Sequence, residues 1–105
     1  MSVNDLIRQM PAALNTDATS SMQATIQYSV SEPMYIVIDN GTCTVHEGIA
    51  PAPDLKLMMT DDDMAALLKG ELNGMNAFMT GKLKVEGDLM LAQRLPTLFD
   101  ASRLP

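Results

Sequence analysis

Between Met22 and Val30 the chain alternates without a break: Met22, Ala24, Ile26, Tyr28 and Val30 fall on one side, and Gln23, Thr25, Gln27 and Ser29 on the other. Successive side chains of a strand point to opposite faces, so this period predicts a strand with one dry and one wet face. Glu32-Pro33 breaks the pattern. The β-branched stretch Met34 to Asp39 then reads as a second strand, and it runs into Asn40-Gly41, the dipeptide best suited to a tight hairpin turn. Thr42 to Glu47 returns as the third strand. A sheet that is apolar on one side must bury that side against something else, and the rest of the chain has to supply the cover.

The flanking segments have the period of helices. Val3, Leu6, Ile7 and Met10 form one apolar stripe, with Ser2 or Asn4 as its cap. Pro11 disfavours helical geometry at Met10, so that helix is expected to stop there or to restart as a short turn over Ala12 to Leu14. Thr16 to Ser21 reads as a loop. After the third strand, Gly48 and Ala50-Pro51-Ala52-Pro53 predict an extended connection into a fourth strand, Leu55 to Met59. Thr60 and the three acids Asp61, Asp62 and Asp63 open a helix carrying Met64, Leu67 and Leu68, which Gly70 closes. Asn73 caps a second short helix bearing Met75, Phe78 and Met79, closed by Gly81. Lys82 to Glu86 alternates as a strand with Leu83 and Val85 inward and the two lysines solvated. Gly87 and Asp88 turn into a last helix with Leu91, Leu95, Leu98 and Phe99. Pro96 is expected to kink it and to leave the residues beyond as a flap. The order predicts an α+β fold, one mixed sheet with helices on one face, built as a single domain over residues 1–105.

Charge narrows the function. Seven Lys and Arg stand against 13 Asp and Glu, a net charge of −6, whereas a nucleic-acid footprint needs the opposite sign. No two cations are adjacent, which argues against docking on lipid headgroups by charge alone. The longest apolar runs, Met34 to Ile38 and Met64 to Leu68, are far shorter than the roughly 20 residues of a membrane span, so no stable membrane insertion is expected. One cysteine, no secretory signal at the N-terminus and a C-terminus that is not a peroxisomal address point to the cytoplasm.

Catalytic and metal patterns fail on spacing. Cys43 and His46 are an odd number apart on one strand and therefore face opposite ways, which rules out a thiol–imidazole pair. Counted from Asp61 as a calcium loop, Ala66 stands where glycine is required and Leu72 where glutamate is. Gly81-Lys82 lies too far from Gly74, and Leu83 replaces the hydroxyl residue of a phosphate loop. No metal and no cofactor is expected. The unusual number is ten methionines against four aromatic residues and no tryptophan, a bias seen where an apolar surface adapts to varied partners.

Residues 70–99 contain Ala77-Phe78-Met79-Thr80-Gly81, then Lys82-Leu83-Lys84-Val85-Glu86-Gly87-Asp88, then the Leu/Ala-rich stretch with Ala92 and Leu95. This register closely resembles the signature of the sterol carrier protein type-2 family, and Met10-Pro11-Ala12-Ala13-Leu14-Asn15 and Thr60-Asp61-Asp62 also look like that family. The resemblance implies a five-stranded, mostly antiparallel sheet with helices over one face. It implies a non-enzymatic module with an apolar tunnel between the two layers, accepting fatty acids, acyl-CoA, sterols or isoprenoid-like lipids. Carried onto this chain, the ligand-binding positions would be Met75, Phe78, Met79, Leu83, Val85, Leu91, Leu95, Leu98 and Phe99. Pro96 within the final helix departs from the family pattern.

Binding of this kind is energetically accessible. A buried tail of about fifteen carbons releases roughly 12 kcal/mol at ~0.8 kcal/mol per methylene, and association costs of at least ~4 kcal/mol leave about the −8 kcal/mol of micromolar affinity. The expected partner is thus a hydrophobic small molecule, held by a monomer or weak homodimer. The alternative is an interaction or regulatory module whose apolar groove takes a protein partner or a second copy of the chain.

Overall fold

The computed structural model describes residues 2–103. Helix α1 runs Val3–Ala13, with the Ser2 hydroxyl accepting from the Asp5 amide at 3.1 Å while the Asp5 carboxylate accepts from the Ser2 amide. The predicted stripe Val3, Leu6, Ile7 and Met10 is buried. Contrary to expectation, the helix continues through Pro11 to Ala13. A proline so near the end forfeits a single backbone bond, and two alanines follow it, the residue with the highest helix propensity.

Strands β1 (Gln23–Ser29), β2 (Met34–Asp39) and β3 (Thr42–Glu47) form the predicted antiparallel meander, turned at Asn40-Gly41. Both turn residues have positive φ, 46° and 82°, the geometry of the type I′ hairpin that twists with the sheet. Strand β4 (Leu55–Met58) lies parallel to β1, and β5 (Lys84–Gly87) antiparallel to β4, so the order is β3-β2-β1-β4-β5 with one parallel pair in a mostly antiparallel sheet. The register places Val45, Ile36, Ile26 and Leu55 in one row and Met34, Tyr28, Leu57 and Val85 in the next, all on the face covered by helices.

Helices α2 (Asp61–Leu68), α3 (Gly74–Met79) and α4 (Leu89–Leu98) complete the cover with α1, and a 3-10 turn follows at Ala101–Arg103. Thr60 caps α2 by accepting from the Asp63 amide at 3.2 Å, and the three acids occupy the first turn. The Asp61 carboxylate also accepts the Ser31 amide at 2.8 Å and the Ser31 hydroxyl, tying α2 to the β1–β2 connection.

The crossover from β3 to β4 passes over the other face of the sheet. There Gln27, on the polar side of the alternation, is buried: its amide donates to the carbonyls of Met34 and Gly48 at 3.1 Å, and its oxygen accepts the Ala50 amide at 2.7 Å. Nor is the segment beyond Pro96 a flap. Leu98 is fully buried, its carbonyl accepts the Asn15 amide at 2.8 Å, Phe99 bridges to Leu14, and the Asp100 amide donates to Ala13 at 2.8 Å. These bonds clip the C-terminal segment to the end of α1, which is why a helix missing one donor still holds its last turn.

Candidate functional site

The segment α3–β5–α4, with Phe99 just beyond its last helix, carries all nine expected ligand positions. The Asn73 side chain accepts from the Asn76 amide at 3.1 Å and starts α3, while the Thr80 hydroxyl donates back to the Asn76 carbonyl and ends it. In six residues such a helix can bury only one face, and the buried residue is Ala77. Met75, Phe78 and Met79, spaced i, i+3, i+4, share another face and are 56%, 49% and 76% exposed. The amides of Lys82 and Leu83 both donate to the Ala77 carbonyl, at 2.9 and 3.0 Å, and this turn delivers Leu83 into the core just ahead of β5.

Val85 then stands opposite Leu57. Gly87 is opposite Leu55 with φ 102°, and a Cβ there would overlap the Asp54 carbonyl oxygen. Only glycine lets β5 come this close before Asp88 caps α4 by accepting the amides of Met90 and Leu91 at 3.0 and 3.1 Å. Leu91, Leu95 and Leu98 recur on the inward stripe.

The nine positions therefore divide by burial. Leu83, Leu91 and Leu98 belong to the core, Val85, Leu95 and Phe99 are half-buried against it, and Met75, Phe78 and Met79 face outward. Behind them the space between helices and sheet is filled by Leu6, Ile7, Ile26, Tyr28, Ile36, Leu55, Leu57 and Met64. A cleft of about 400 Å³ opens over Leu91, with Met22, Ala24 and Met90 beside it and Asp54, Asp88 and Arg94 among the polar residues that line it. A second, of about 410 Å³, lies between the polar residues Asn4, Arg8, Glu32 and Glu47, with Pro33 and Met34 also lining it.

Sequence reasoning missed both clefts and the exposure of Leu89 and Met90 beside the first. The run Leu89-Met90-Leu91 was the available signal, since one helical face cannot bury three consecutive side chains.

Of the titratable groups that the fold perturbs, Asp100 borders this segment, where the Ser102 hydroxyl and then its amide hold the carboxyl below the usual range. Burial pushes the Cys43 thiol up to about 11, and it pushes the Tyr28 hydroxyl up as well. Cys43 is paired with Ile38 on the covered face, whereas His46 is paired with Tyr35 on the open one, its ring stacked 5.0 Å from the tyrosine's. Among the described residues no group of acidic, His and Cys side chains gathers in a metal-binding arrangement, and no helix is long and apolar enough to cross a membrane.

With this geometry in view, residues 3–100 match the model of the SCP-2 sterol transfer family. The chain is similar to the oleate-induced peroxisomal protein POX18 of Candida maltosa, 39% identical over 59 residues, which cover 56% of this chain and 46% of that protein. It spans less than half the length of that relative. Among solved structures it resembles sterol carrier protein 2 of Yarrowia lipolytica in its apo form, with a TM-score of 0.63 at 31% identity over 85% of this chain and 86% of that one. The fold is also that of sterol carrier protein-2 from Aedes aegypti, solved in complex with the C16 fatty acid palmitate, with a TM-score of 0.69 at 17% identity over 98% and 97% of the two chains.

Proposed function

The chain belongs to the SCP-2 sterol transfer family, and from that premise we propose that it holds the hydrocarbon part of a lipid between its sheet and the α3–β5–α4 segment, without catalysis. One observation carries this reading: α3 holds only Ala77 in the core and turns the rest of its apolar surface outward, directly ahead of the apolar group Leu83, Val85, Leu91, Leu95, Leu98 and Phe99. A cover so lightly anchored is the part of the fold that separates from the sheet at least cost.

As a tail enters, Met75, Phe78 and Met79 turn onto it, and the six inner positions line its path. Methionine suits the task because its unbranched chain and soft sulfur repack around tails of different shape. Fatty acyl chains, acyl-CoA, sterols and isoprenoid-like lipids are the ligand class, and the setting we propose is a cytoplasmic monomer or weak homodimer. Palmitate bound to the Aedes protein of the same fold supports the class.

Titration of a fluorescent fatty acid tests this. Binding of roughly micromolar strength is expected, weakened at least about tenfold by Phe78→Asp, which places a charge where the tail must pass. Phe78 is half exposed, so the variant keeps its fold, as circular dichroism would verify. Equal binding by wild type and variant removes α3 from the site, and no binding by wild type overturns the reading. Incubation with acyl-CoA should release no free CoA.

A further inference from the structure

We propose that the cleft between α1, the β1–β2 connection and the end of β3 binds a small primary alkylammonium ion, at a site separate from the lipid segment. No residue of α3, β5 or α4 lines it. Its wall includes Asn4, a polar side chain only 7% exposed among the apolar buried residues of α1. The Asn4 amide nitrogen donates to the Glu32 carbonyl at 2.8 Å, and that bond fixes which way the amide points. Its oxygen accepts from no group among the described residues. Every sealed side-chain nitrogen or oxygen described has a partner, so this oxygen is open to a small molecule, and the cleft is the space it borders.

An open acceptor alone takes water. Charge names the occupant. Residues 1–55 hold six acids and a single cation, Arg8. Arg8 is already shared between Glu47 at 3.1 Å and Asp5 at 3.5 Å, whereas the exposed Glu32 carboxylate enters no ion pair among the described residues. Lys56, the next cation along the chain, lies by Glu86 instead, at 4.0 Å. The lining thus sets two carboxylates against one guanidinium and attracts a cation. Asp5, in the first turn of α1, offsets the positive end of that helix.

The acceptor then specifies the kind of cation. An amide oxygen needs an N–H, which a primary ammonium has and a quaternary one lacks. Quaternary ammonium is taken by aromatic cages, and neither Tyr35 nor His46 lines this cleft, their rings being stacked on the open face of the sheet. Pro33 and Met34 offer an apolar wall to a short aliphatic stem, and about 410 Å³ is within the ~300–1,000 Å³ of small-molecule sites.

Amide NMR of the isotope-labelled protein, titrated at constant ionic strength with butylammonium, tetramethylammonium and n-butanol, tests the site. Butylammonium should shift the Asn4 side-chain amide and the backbone amides of Glu32 and Gly48 saturably, at roughly millimolar concentration. It should bind at least about tenfold more tightly than either of the others, since only it joins charge to a donor. Asn4 is tied into the fold, so the variants are made at exposed acids. Glu32→Gln and Glu47→Gln should each weaken binding about threefold or more, the second also by releasing Arg8 into the cleft, and Glu86→Gln on β5 should not. A fluorescent fatty acid should bind all three variants as it binds the wild type, because the two sites share no residue.

If butylammonium gives no saturable shift, if the three probes act alike, or if either Glu32→Gln or Glu47→Gln binds as the wild type does, the cleft holds only solvent and the proposal is wrong. A blocked tripeptide with a central lysine should bind no better than butylammonium. A peptide that binds far more tightly would make the occupant a lysine of another protein and overturn the assignment to a small amine.

Discussion

The alternation assigns Gln27 to the polar face of β1 correctly, yet it is among the most buried residues of the molecule. Its burial comes from a chain segment about twenty residues away, and a period of two carries no trace of that. The side chain accepts one backbone donor and gives to two carbonyls, so it replaces the ladder that the proline-rich crossover cannot form. Gln27→Met keeps the length and removes every one of these bonds. The buried Ala50 amide is then orphaned, and urea unfolding should show a loss of about 1–3 kcal/mol. A loss below about 0.5 kcal/mol would mean the crossover does not depend on this amide. Asp61 gives a pH test of the same kind. The Ser31 hydroxyl and then its amide hold the Asp61 carboxyl below the usual carboxylate range. A depressed pKa contributes stability that is present above the unfolded value, near pH 4, and is lost as pH falls through the lower folded value. The stability gap between wild type and Asp61→Asn should thus be constant at neutral pH and close below about pH 4. A gap that persists unchanged at pH 2 to 3 would show that the Ser31 contact does not depend on ionisation.

At the scale of elements, the readings that succeeded rest on local chemistry, and those that failed rest on contacts distant in sequence. Asn40-Gly41, Thr60, Asn73 and Asp88 mark turns and caps through their own side chains or backbone freedom, and each acts where expected. The prolines mislead because their local cost is outweighed from afar. Pro96 removes the donor that would reach Ala92, but the turn beyond it is held by Asn15, Leu14 and Ala13, about eighty residues earlier in the chain. Hydrogen exchange checks the clip directly. The amides of Asn15 and Asp100 should exchange far more slowly than those of the exposed loop residues Thr16, Asp17 and Ser20, and Pro96→Ala should change their protection little. Rates as fast as the loop's would restore the independent flap. Helix α3 offers the contrast. Its stripe of Met75, Phe78 and Met79 has the spacing of a buried face, yet a helix of six residues resting on Ala77 has no second wall to bury it. Spacing indicates which side chains share a face. Whether that face meets another element is decided by the loops that place it.

For the molecule as a whole, the resemblance in residues 70–99 led to the fold, and the observed sheet has the five strands, mostly antiparallel, that it implied. Of the expected ligand positions, the six on β5, α4 and the turn before them come together against one core, while the three on α3 stand outside it. A packed core with side chains such as Tyr28, Ile26, Leu57 and Met64 fully or nearly fully buried leaves little room for a tail, since interiors are filled to the density of organic crystals. If a lipid is accommodated, the layers have to part first, and the segment that parts most easily is α3 with the turn into β5. This has a kinetic consequence. A ligand that waits for an opening binds at a rate that rises with concentration only until opening becomes limiting. Stopped-flow mixing with a fluorescent fatty acid should therefore reach a plateau rate. Asn73→Ala, which removes the cap of α3 at a cost of about 1 kcal/mol, should raise that plateau because the cover opens more often. Saturating lipid should at the same time raise the melting temperature, since a free ligand at about a hundred times its Kd adds about 2.7 kcal/mol, on the order of 10 °C for a domain of this size. A rate that climbs linearly to the highest attainable concentration, unaffected by Asn73→Ala, would mean that the tail enters a space already open, and the cleft of about 400 Å³ over Leu91 would then be its entrance.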